Sequence, residues 1–219
     1  MKIDTIIKLG GSITERGTLK QIIQLGKTLS AKFDIKRDFA IVPGGGLFAE
    51  FVRETQKKYA LDDEQAHWMA IQAMEQHASL LLKFIPNSRL HDFSVMEFNT
   101  LVFDNLPILR ITKYMRTESD LEKNWNSTSD AIAAEIAMKI QAKRIVFLKD
   151  IDGIIAKDKL VKKITIQELQ KLKTSPLDEN TPKILLKNNI RAFILNGLIH
   201  DRIENLLEGK EFIGTEIIR

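Results

Sequence analysis

Short apolar runs rich in β-branched residues alternate along this chain with longer segments whose apolar positions recur every three or four residues. The short runs are typical of buried strands, and the longer segments are typical of amphipathic helices. Their alternation predicts repeated strand–helix–strand units around a mainly parallel sheet, which is an α/β fold. The predicted strands cover residues 3–9, 39–43, 106–111, 144–149, 191–196 and 215–218. The predicted helices cover residues 19–33, 47–59, 62–84, 129–140, 166–171 and 200–207.

The polar segment 112–126 separates two parts of this pattern. It carries Lys113, Arg116 and Lys123 interleaved with acidic residues. Polar segments of this kind are usually exposed connections between elements. We therefore expect one continuous fold with a first half, 1–115, and a second half, 116–219, joined by an exposed hinge or lid.

The composition is that of an ordinary globular protein. Hydrophobic residues make up 44% of the 219 residues and charged residues 28%, so the chain is long enough to bury a sizeable core. There is no cysteine, which excludes disulfides and thiolate metal sites. No apolar run approaches the ~18 residues of a membrane-spanning helix, and the apolar start is too short for a signal peptide. We expect a cytoplasmic protein with no membrane partner.

The net charge of +4 raises the question of an acidic partner. The lysines are spread along the chain, and the densest basic patch, 157–163, alternates with apolar residues and contains an aspartate. Such a patch is typical of a solvated hairpin or helix face. No RNA-binding motif with interleaved aromatic residues is present. We expect no nucleic-acid partner.

Two glycine clusters each follow a predicted strand. The first cluster comprises Gly10, Gly11 and Ser12 and is preceded by Lys8, and the second comprises Gly44, Gly45 and Gly46. Successive glycines let backbone N–H groups converge on an anion, and a following helix adds the positive end of its dipole. Ligands of open α/β sheets bind beyond the carboxyl ends of the strands, where both clusters fall. Each cluster alone could be a tight turn, but two of them at strand ends favour phosphate binding.

The familiar phosphate-binding motifs fit this chain poorly. No G-x-x-x-x-G-K-[ST] motif is present, so a Walker-type NTPase is not supported. Gly44, Gly46 and Ala49 match the dinucleotide fingerprint, and Glu64 follows at about the right distance. However, Glu64 falls early in a predicted helix rather than at the end of a second strand, where a ribose-binding acid is needed. An NAD enzyme is therefore disfavoured.

Five blocks of sequence resemble the successive signatures of the amino acid kinase family. They are IIKLGGSI at 6–13, IVPGGGLFAEFVR at 41–53, WNSTSDAIAAEIA at 125–137, FLKDIDGI at 147–154 and GTEI at 214–217. The family includes acetylglutamate, glutamate, aspartate, uridylate and isopentenyl phosphate kinases. The resemblance implies a three-layer α/β/α sandwich and an ATP-dependent transfer of a phosphoryl group to a small-molecule acceptor. It also implies a homodimer or higher homo-oligomer, with the helix at 62–84 as a contact.

The resemblance also assigns catalytic roles. Lys8 matches the family's first catalytic lysine, and Asp130 matches the aspartate that orients the catalytic lysines. A second lysine usually follows a Gly-Met-like pair, which this chain lacks, so Lys183 is the candidate and Lys187 its alternative. For Asp130 a helix start is also a sufficient explanation, because a preceding hydroxyl residue would cap the helix and an aspartate there complements its dipole.

Further site residues follow from the same blocks. The residues expected to bind ATP are Gly10, Gly11, Ser12, Lys149, Asp150, Asp152 and Gly153. The residues expected to bind the acceptor are Gly44, Gly45, Gly46, Arg53, His67, Asn126 and Thr128. The four histidines show no tight ligand spacing, so we expect no metal site built from protein side chains, and Mg²⁺ would arrive on ATP.

The acceptor is the least determined part of this prediction. The segment 61–81 resembles a branch of the family that phosphorylates an aminomethylfuran-methyl phosphate during methanofuran synthesis. This resemblance and the supply of N–H donors and cations favour a small phosphate monoester. Asp62, Asp63 and Glu64 are then candidates to meet an amine. Two alternatives stay open: a carboxylate kinase that forms an acyl phosphate, and a nucleotide-binding regulatory or storage protein on the same fold.

Overall fold

The computed structural model of the chain describes residues 3–36, 38–172, 174–188 and 190–219. Its strands are β1 (Thr5–Leu9), β2 (Phe39–Pro43), β3 (Ser88–Asp92), β4 (Leu106–Arg110), β5 (Arg144–Lys149), β6 (Ile155–Ala156), β7 (Lys159–Leu160), β8 (Lys163–Thr165), β9 (Arg191–Asn196) and β10 (Thr215–Ile218). Its helices are α1 (Gly11–Arg16), α2 (Leu19–Lys36), α3 (Gly46–Tyr59), α4 (Asp63–Leu81), α5 (Val95–Phe98), α6 (Thr112–Thr117), α7 (Ser129–Lys139), α8 (Ile166–Gln170), α9 (Asn180–Lys187) and α10 (His200–Glu208).

Eight strands form one sheet in the order β3-β4-β2-β1-β5-β9-β10-β8, and β6 and β7 form a small separate hairpin. Every neighbouring pair in the large sheet is parallel except β9 with β10. Strands β1 and β2 are buried along their whole length, as expected for apolar runs covered on both faces. The predicted α/β fold with a mainly parallel sheet is confirmed.

Helices pack on the sheet and bury its apolar faces. Helix α7 contacts β1 and β5, α4 contacts β2 and β4, and α2 packs against α10. Large aromatic side chains fill the contacts between layers. Phe33 of α2 meets Phe39 of β2 edge to face, with ring centroids 5.5 Å apart, and both rings are fully buried. This geometry suits the quadrupoles of two aromatic rings.

The register of the central strands brings the two glycine clusters to one edge of the sheet. Lys8 of β1 pairs with Val42 of β2 on one side and with Phe147 of β5 on the other. The three strands therefore end at the same level, and the residues that follow them meet above the sheet. This edge carries the candidate site.

Several parts of the fold differ from the prediction, among them the short elements α1, α5 and β8, which were not predicted. Strand β3 was not predicted because it is a polar edge strand with no fully buried residue. The short helix α9 also lacked a recognisable apolar period. The segment 112–126 was predicted to be an exposed connection, but it begins with α6, in which Tyr114 and Met115 are buried. That part of the prediction is wrong, because one turn of helix with two inward apolar side chains is too short to show a period.

None of the helices in the described part of the chain combines the length and apolarity needed to cross a bilayer.

Candidate active site

A buried ion triad lies at the ends of three elements. Lys8 is at the end of β1, Asp130 in the first turn of α7, and Lys149 at the end of β5. The Nζ of Lys8 is 2.8 Å from Oδ1 of Asp130, and the Nζ of Lys149 is 2.7 Å from Oδ2. One carboxylate thus separates two ammonium groups, and the cluster as a whole carries a net positive charge. Such a cluster is suited to an anionic ligand.

The triad fixes the charge of Asp130. Burial alone would raise the pKa of this carboxyl, but Lys149 and Lys8 together outweigh burial and hold the pKa below its usual range. For Lys8, burial lowers the pKa, the charge of Asp130 opposes that shift, and Lys149 adds to it. Asp130 is therefore a stable anion that orients two lysines and is a poor acceptor of protons.

The N-terminus of α7 is capped without the help of Asp130. Thr128 is the N-cap, and its hydroxyl accepts from the backbone N–H of Asp130 at 3.4 Å. Asp178 holds the cap in place, because its Oδ2 accepts from the N–H and the hydroxyl of Thr128 at 2.8 and 2.7 Å. It also accepts from the N–H of Ala131 at 3.0 Å. The Asp130 carboxylate is left for the two lysines, and Asp178 is a supporting residue that sequence reasoning missed.

The two glycine clusters touch each other through their backbones. A Cβ placed on Gly11 would lie 2.5 Å from the backbone nitrogen of Gly46, and one placed on Gly44 would lie 2.8 Å from the nitrogen of Gly11. Gly46 has a φ of +56°, which favours glycine. The N-cap of α3 is Gly45, with no side-chain hydrogen bond to the helix, so the first N–H groups of this 14-residue helix remain available to a ligand.

A cavity of about 360 Å³ opens beside the triad and between the two clusters. Most of the predicted site residues line it: Lys8, Gly10, Gly11, Ser12, Gly45, Gly46, Arg53, His67, Thr128, Asp130 and Lys149. Gly44 is buried behind this wall, and its carbonyl contacts a histidine of α4. The structure therefore brings together residues that the sequence separates by more than a hundred positions.

Lys183 lies elsewhere. Its Nζ contacts Oε1 of Glu179 at 2.9 Å and Oδ1 of Asn180 at 3.0 Å, on an exposed face of α9. It does not line the cavity. The lysine that the structure places beside Asp130, opposite Lys8, is Lys149, for which nucleotide binding was predicted. The family motif for the second lysine does not predict this position, because Lys149 lies at the end of β5, in a different sequence block from the one that the motif describes.

The predicted acceptor residue Asn126 is exposed, and its carbonyl accepts from the N–H of Asn180 at 3.2 Å. Its neighbours Asn124 and Ser127 line the cavity instead. The predicted residue and the residues that line the cavity are only one or two positions apart in the sequence, but they lie on opposite sides of the loop. A one-residue change of direction in an irregular segment is beyond what a motif can predict.

The turn after β5 is tied to neighbouring elements. Asp150 accepts from Arg16 of α1 at 2.6 Å. Burial alone would raise the pKa of Asp150, but Ser12 and Arg16 hold it below its usual range. Asp152 accepts from Arg202 at 2.6 Å, outside the cavity wall. Gly153 has a φ of +135°, which requires glycine at this turn.

Further residues of the wall were not predicted. Glu15 of α1 and Glu50 of α3 line the cavity, and burial together with the charge of Glu50 raises the pKa of Glu15. The ring of Trp125 also lines it, with the guanidinium of Arg53 stacked 3.7 Å from the ring centroid. Glu50 and Trp125 lie inside family-like blocks, but the blocks give no side-chain direction.

The acids at the start of α4 are engaged in other contacts. Asp62 caps the helix through the N–H of Gln65 at 2.7 Å, and Asp63 accepts from Gln56 at 3.0 Å. Glu64 pairs with Lys123 at 2.5 Å. None of the three lines the cavity, so the expectation that they meet an amine is not supported by their positions.

His67 is an unusual part of the wall. Its side chain is 5% exposed, and its Nε2 is buried without a hydrogen-bond partner. Burial lowers the pKa of this imidazole, and the nearby charge of Lys123 adds to that effect. His67 is thus a neutral imidazole in the cavity wall, and its acceptor-binding role stays a prediction.

The chain is similar to known proteins of one family. The sequence model of the Amino acid kinase family matches residues 5–196. The chain is 27% identical over 218 residues to the [5-(aminomethyl)furan-3-yl]methyl phosphate kinase of Methanocaldococcus jannaschii, covering 97% of each chain. It is 25% identical to the isopentenyl phosphate kinase of the same organism, covering 97% of this chain and 98% of that relative.

Solved structures show the same fold. The UMP kinase of Ureaplasma parvum superposes with a TM-score of 0.78 at 19% identity and covers all of both chains. The uridylate kinase of Archaeoglobus fulgidus superposes with a TM-score of 0.77, also at 19% identity, over 99% of this chain and 100% of that chain. The match of the family model over most of the chain, together with this fold, shows that the chain belongs to the amino acid kinase family.

Proposed function

We propose that this chain is an ATP-dependent kinase that transfers the γ-phosphoryl group of ATP to a small phosphate monoester. The observation that carries the proposal is the buried, net-positive Lys8–Asp130–Lys149 triad at the point where two glycine clusters touch. Two phosphate groups must approach each other in such a reaction, and both need positive charge and N–H donors at one place. ATP, with Mg²⁺ carried on its phosphates, supplies the phosphoryl group when bound.

In the proposed step an oxygen of the acceptor phosphate attacks the γ-phosphorus while the bond to the β–γ bridging oxygen breaks. The electron pair of that bond leaves with ADP. The second pKa of a phosphate monoester is ~6, so its attacking oxygen is already deprotonated and no base is needed. This agrees with an Asp130 whose pKa is held low by Lys149 and Lys8. Both lysines would stabilise charge on the migrating group.

The acceptor and ATP would occupy opposite ends of the cavity. We assign acceptor binding to the first half of the chain, 1–115, and ATP binding to the second half, 116–219, with the first glycine cluster contacting the ATP phosphates. The nucleotide role of Asp150, Asp152 and Gly153 and the catalytic role of Lys183 stay predictions. Lys183 would have to leave Glu179 to reach the triad.

The acceptor we favour is an aminomethylfuran-methyl phosphate, as in the similar kinase of Methanocaldococcus jannaschii. A small apolar ring would fit beside Ile71, Met74 and Trp125 of the cavity wall. An ammonium group would find carboxylates at Glu15 and Glu50 in the same wall. The ring and the ammonium group of this acceptor would therefore each meet a part of the cavity wall of matching polarity.

The proposal is tested by measuring ADP release from Mg-ATP with a panel of acceptors. We expect stimulation by aminomethylfuran-methyl phosphate and other phosphate monoesters. Glutamate, aspartate and acetylglutamate should give no acyl phosphate that hydroxylamine can trap. A hydroxamate from one of these three, with no activity on phosphate monoesters, would establish the carboxylate-kinase alternative. ATP binding without transfer to any acceptor would favour the regulatory or storage alternative.

The proposed contact between Glu50 and the ammonium group of the acceptor is tested by a separate variant. Glu50→Gln should raise KM for aminomethylfuran-methyl phosphate about tenfold, the equivalent of ~1.4 kcal/mol. It should leave KM unchanged for the analogue that has a methyl in place of the aminomethyl group. Glu54→Gln, one turn further along α3 and outside the cavity wall, is the matched control. An equal effect of Glu50→Gln on both acceptors would contradict the contact.

We also propose a homo-oligomer in the cytoplasm. Leu47 and Phe51 are each 67% exposed and lie four residues apart on α3, so they form an apolar spot that a second copy of the chain would cover. The predicted contact through residues 62–84 stays a prediction. Light scattering coupled to size exclusion measures the mass, and a monomer at micromolar concentration would contradict this proposal.

A further inference from the structure

His77 lies behind the wall of the cavity and joins the two glycine clusters. It is on α4 and is fully buried. Its Nδ1 is 2.6 Å from the carbonyl oxygen of Gly44, in the second cluster. Its Nε2 is 2.9 Å from Oγ1 of Thr14, in α1, the helix that begins within the first cluster. Both ring nitrogens are therefore used in contacts to parts of the chain far apart in sequence.

The direction of each hydrogen bond follows from the chemistry of the partners. Burial lowers the pKa of His77, so the ring is neutral and carries one proton. A carbonyl can only accept, which places the proton on Nδ1, donated to Gly44. Nε2 is then an acceptor, and the single proton of the Thr14 hydroxyl is shared between Nε2 and the carbonyl oxygen of Gly11, the two acceptors within reach. Oγ1 of Thr14 also lies 2.9 Å from the carbonyl oxygen of Gly11, so one side chain contacts both the ring and the first cluster.

The ring also supports the second cluster by packing. A Cβ placed on Gly46 would lie 3.3 Å from Cδ2 of His77, so the backbone of this glycine rests on the imidazole. His77 does not line the cavity and cannot touch a ligand there. The groups that it touches on the way to the site are Gly44, Gly46 and Thr14.

We propose that His77 is a positioning residue that sets the separation of the two glycine clusters, and with it the separation of the two phosphates that react. The inference rests on the proposed function. In-line transfer depends on the reacting atoms being held close together, and a displacement of ~1 Å can cost ~10²-fold in rate. Without His77 the clusters keep their own turns but lose the side chain that joins them.

Two substitutions of His77 each remove one of the two hydrogen bonds of the ring and keep the other. The amide nitrogen of asparagine falls near Nδ1 of histidine, so His77→Asn keeps a donor for Gly44 and loses Thr14. The amide of glutamine reaches the position of Nε2, so His77→Gln keeps a partner for Thr14 and loses Gly44. We expect kcat to fall about 10- to 100-fold in each variant. The Kd of Mg-ATP measured by titration calorimetry should change less than threefold.

A positioning role differs from a merely structural one in its coupling to Thr14. Thr14→Val removes the same hydrogen bond as His77→Asn, so kcat of the double variant should be no lower than that of His77→Asn alone. His91→Asn, on the edge strand β3, is the control histidine and should leave kcat unchanged. Additive losses from the two substitutions, or kcat within twofold of wild type in both His77 variants, would overturn the proposal.

Hydrogen exchange gives a readout that needs no acceptor. The amide of Gly10 donates to Leu148 at 2.9 Å and that of Gly44 donates to Leu9 at 2.7 Å, so both are protected probes of the clusters. We expect exchange at these amides to accelerate roughly tenfold or more in His77→Gln, with exchange in the centre of β5 unchanged. Unchanged exchange at Gly10 and Gly44 would refute the link. If wild type transfers to no phosphate monoester, the proposed function fails while this measurement still decides the role of His77.

Discussion

Asp130 is the residue on which the charge balance of the site depends. Its carboxylate and both lysines of the triad are largely withdrawn from water. Removing an ion from water costs several kcal/mol, and in this site the cost is offset mainly by pairing among the three groups. Loss of one member therefore affects both the folded state and the reaction.

Lys8→Met tests the role of the first lysine. A methionine fills much of the same volume but carries no charge, so kcat should fall ~10²-fold or more, the scale of removing one electrostatic stabiliser. Binding of Mg-ATP should weaken less, because the glycine cluster remains. Lys27→Met, at an exposed position of α2, is the control. A folded Lys8→Met protein with near wild-type kcat would refute the assignment.

Asp130→Asn should reduce both rate and stability. The cap of α7 is Thr128, so the helix keeps its start, but two buried lysines lose their counter-ion. We expect the free energy of unfolding at pH 7 to fall by ~3–5 kcal/mol and kcat by at least ~10²-fold. Urea denaturation and steady-state kinetics on one preparation measure both. Asp158→Asn, in the exposed turn of the small hairpin, is the control.

The stability loss should depend on pH in one direction. The pKa of Asp130 is lower in the folded chain than in the unfolded chain. Its contribution is therefore present above the unfolded value of ~3.9 and is lost as the pH falls through the folded value. The difference in unfolding free energy between wild type and Asp130→Asn should shrink below pH ~4. A difference that stays constant from pH 7 to pH 3 would contradict the ion triad.

Sequence could identify some of these residues and not others. Lys8 and Asp130 stand in family-like blocks, and the structure brings them within 2.8 Å. Lys149 also stands in such a block, but its contact with Asp130 depends on the register of β5 beside β1. Glu50 lies on α3 and Trp125 in the turn before α7, and it is tertiary contacts, such as the stacking of Arg53 on Trp125, that place both in the cavity wall. A motif records which residues are present, whereas side-chain direction depends on tertiary contacts.

Elements with a strong local signal were predicted closely. The bounds of β2, β5, β9 and β10 agree with the prediction because each is a short apolar run closed by turn residues. The elements that were missed have a weak local signal in the sequence. They are short, or they are mostly polar, as the edge strand β3 is. Helix α6 belongs to this group, since its contribution to the core comes from side chains whose partners lie in another helix.

Tyr114→Phe tests how α6 is anchored. The hydroxyl of Tyr114 donates to Oε2 of Glu135 in α7 at 2.7 Å, and both side chains are buried. Ser119 and the N–H of Asp120 also donate to this carboxylate, at 2.6 and 3.0 Å. Losing one of three donors should lower the free energy of unfolding by ~1–3 kcal/mol, the cost of a buried group left partly unsatisfied. Denaturant titration measures it.

The Tyr114→Phe substitution should lower the stability of the protein without changing its activity. Tyr114 is outside the cavity wall, so kcat and KM of the folded Tyr114→Phe protein should equal those of wild type. Thr117→Val, which removes only an exposed hydroxyl bonded to its own helix, is the matched control. A large fall in kcat with unchanged stability would mean that α6 belongs to the reaction site.

At the scale of the whole molecule, the predicted fold and the predicted kinase family are confirmed by the sheet and by the comparisons. Both rest on features spread over most of the chain, namely the alternation of strand and helix patterns and the family-like blocks, and such features can be recognised in a sequence. The acceptor is a different matter, because the cavity proposed to bind it combines side chains from α1, α3, α4 and the segment before α7. No local pattern encodes that combination, so the acceptor has to be found by assay.

The two halves of the chain should unfold as one unit. Strand β1 of the first half pairs along its whole length with β5 of the second half, so neither half has a complete sheet alone. We expect a single calorimetric transition for the full chain, with equal calorimetric and van't Hoff enthalpies. A fragment of residues 1–115 should lack cooperative unfolding. Two separate transitions, or a folded fragment, would show independent domains.

The central position of β1 has a consequence for how the protein is made. During synthesis Thr5 of β1 emerges before both of its lateral partners, and it finds one of them at Phe39 but the other only at Arg144. At a synthesis rate of ~5–20 residues per second, one edge of β1 stays open for on the order of ten seconds. Exposed strand edges attract other chains, so the nascent protein is most exposed to aggregation and most dependent on chaperones during this interval. The candidate active site is completed only when the second half has emerged, because Asp130 and Lys149 belong to that half.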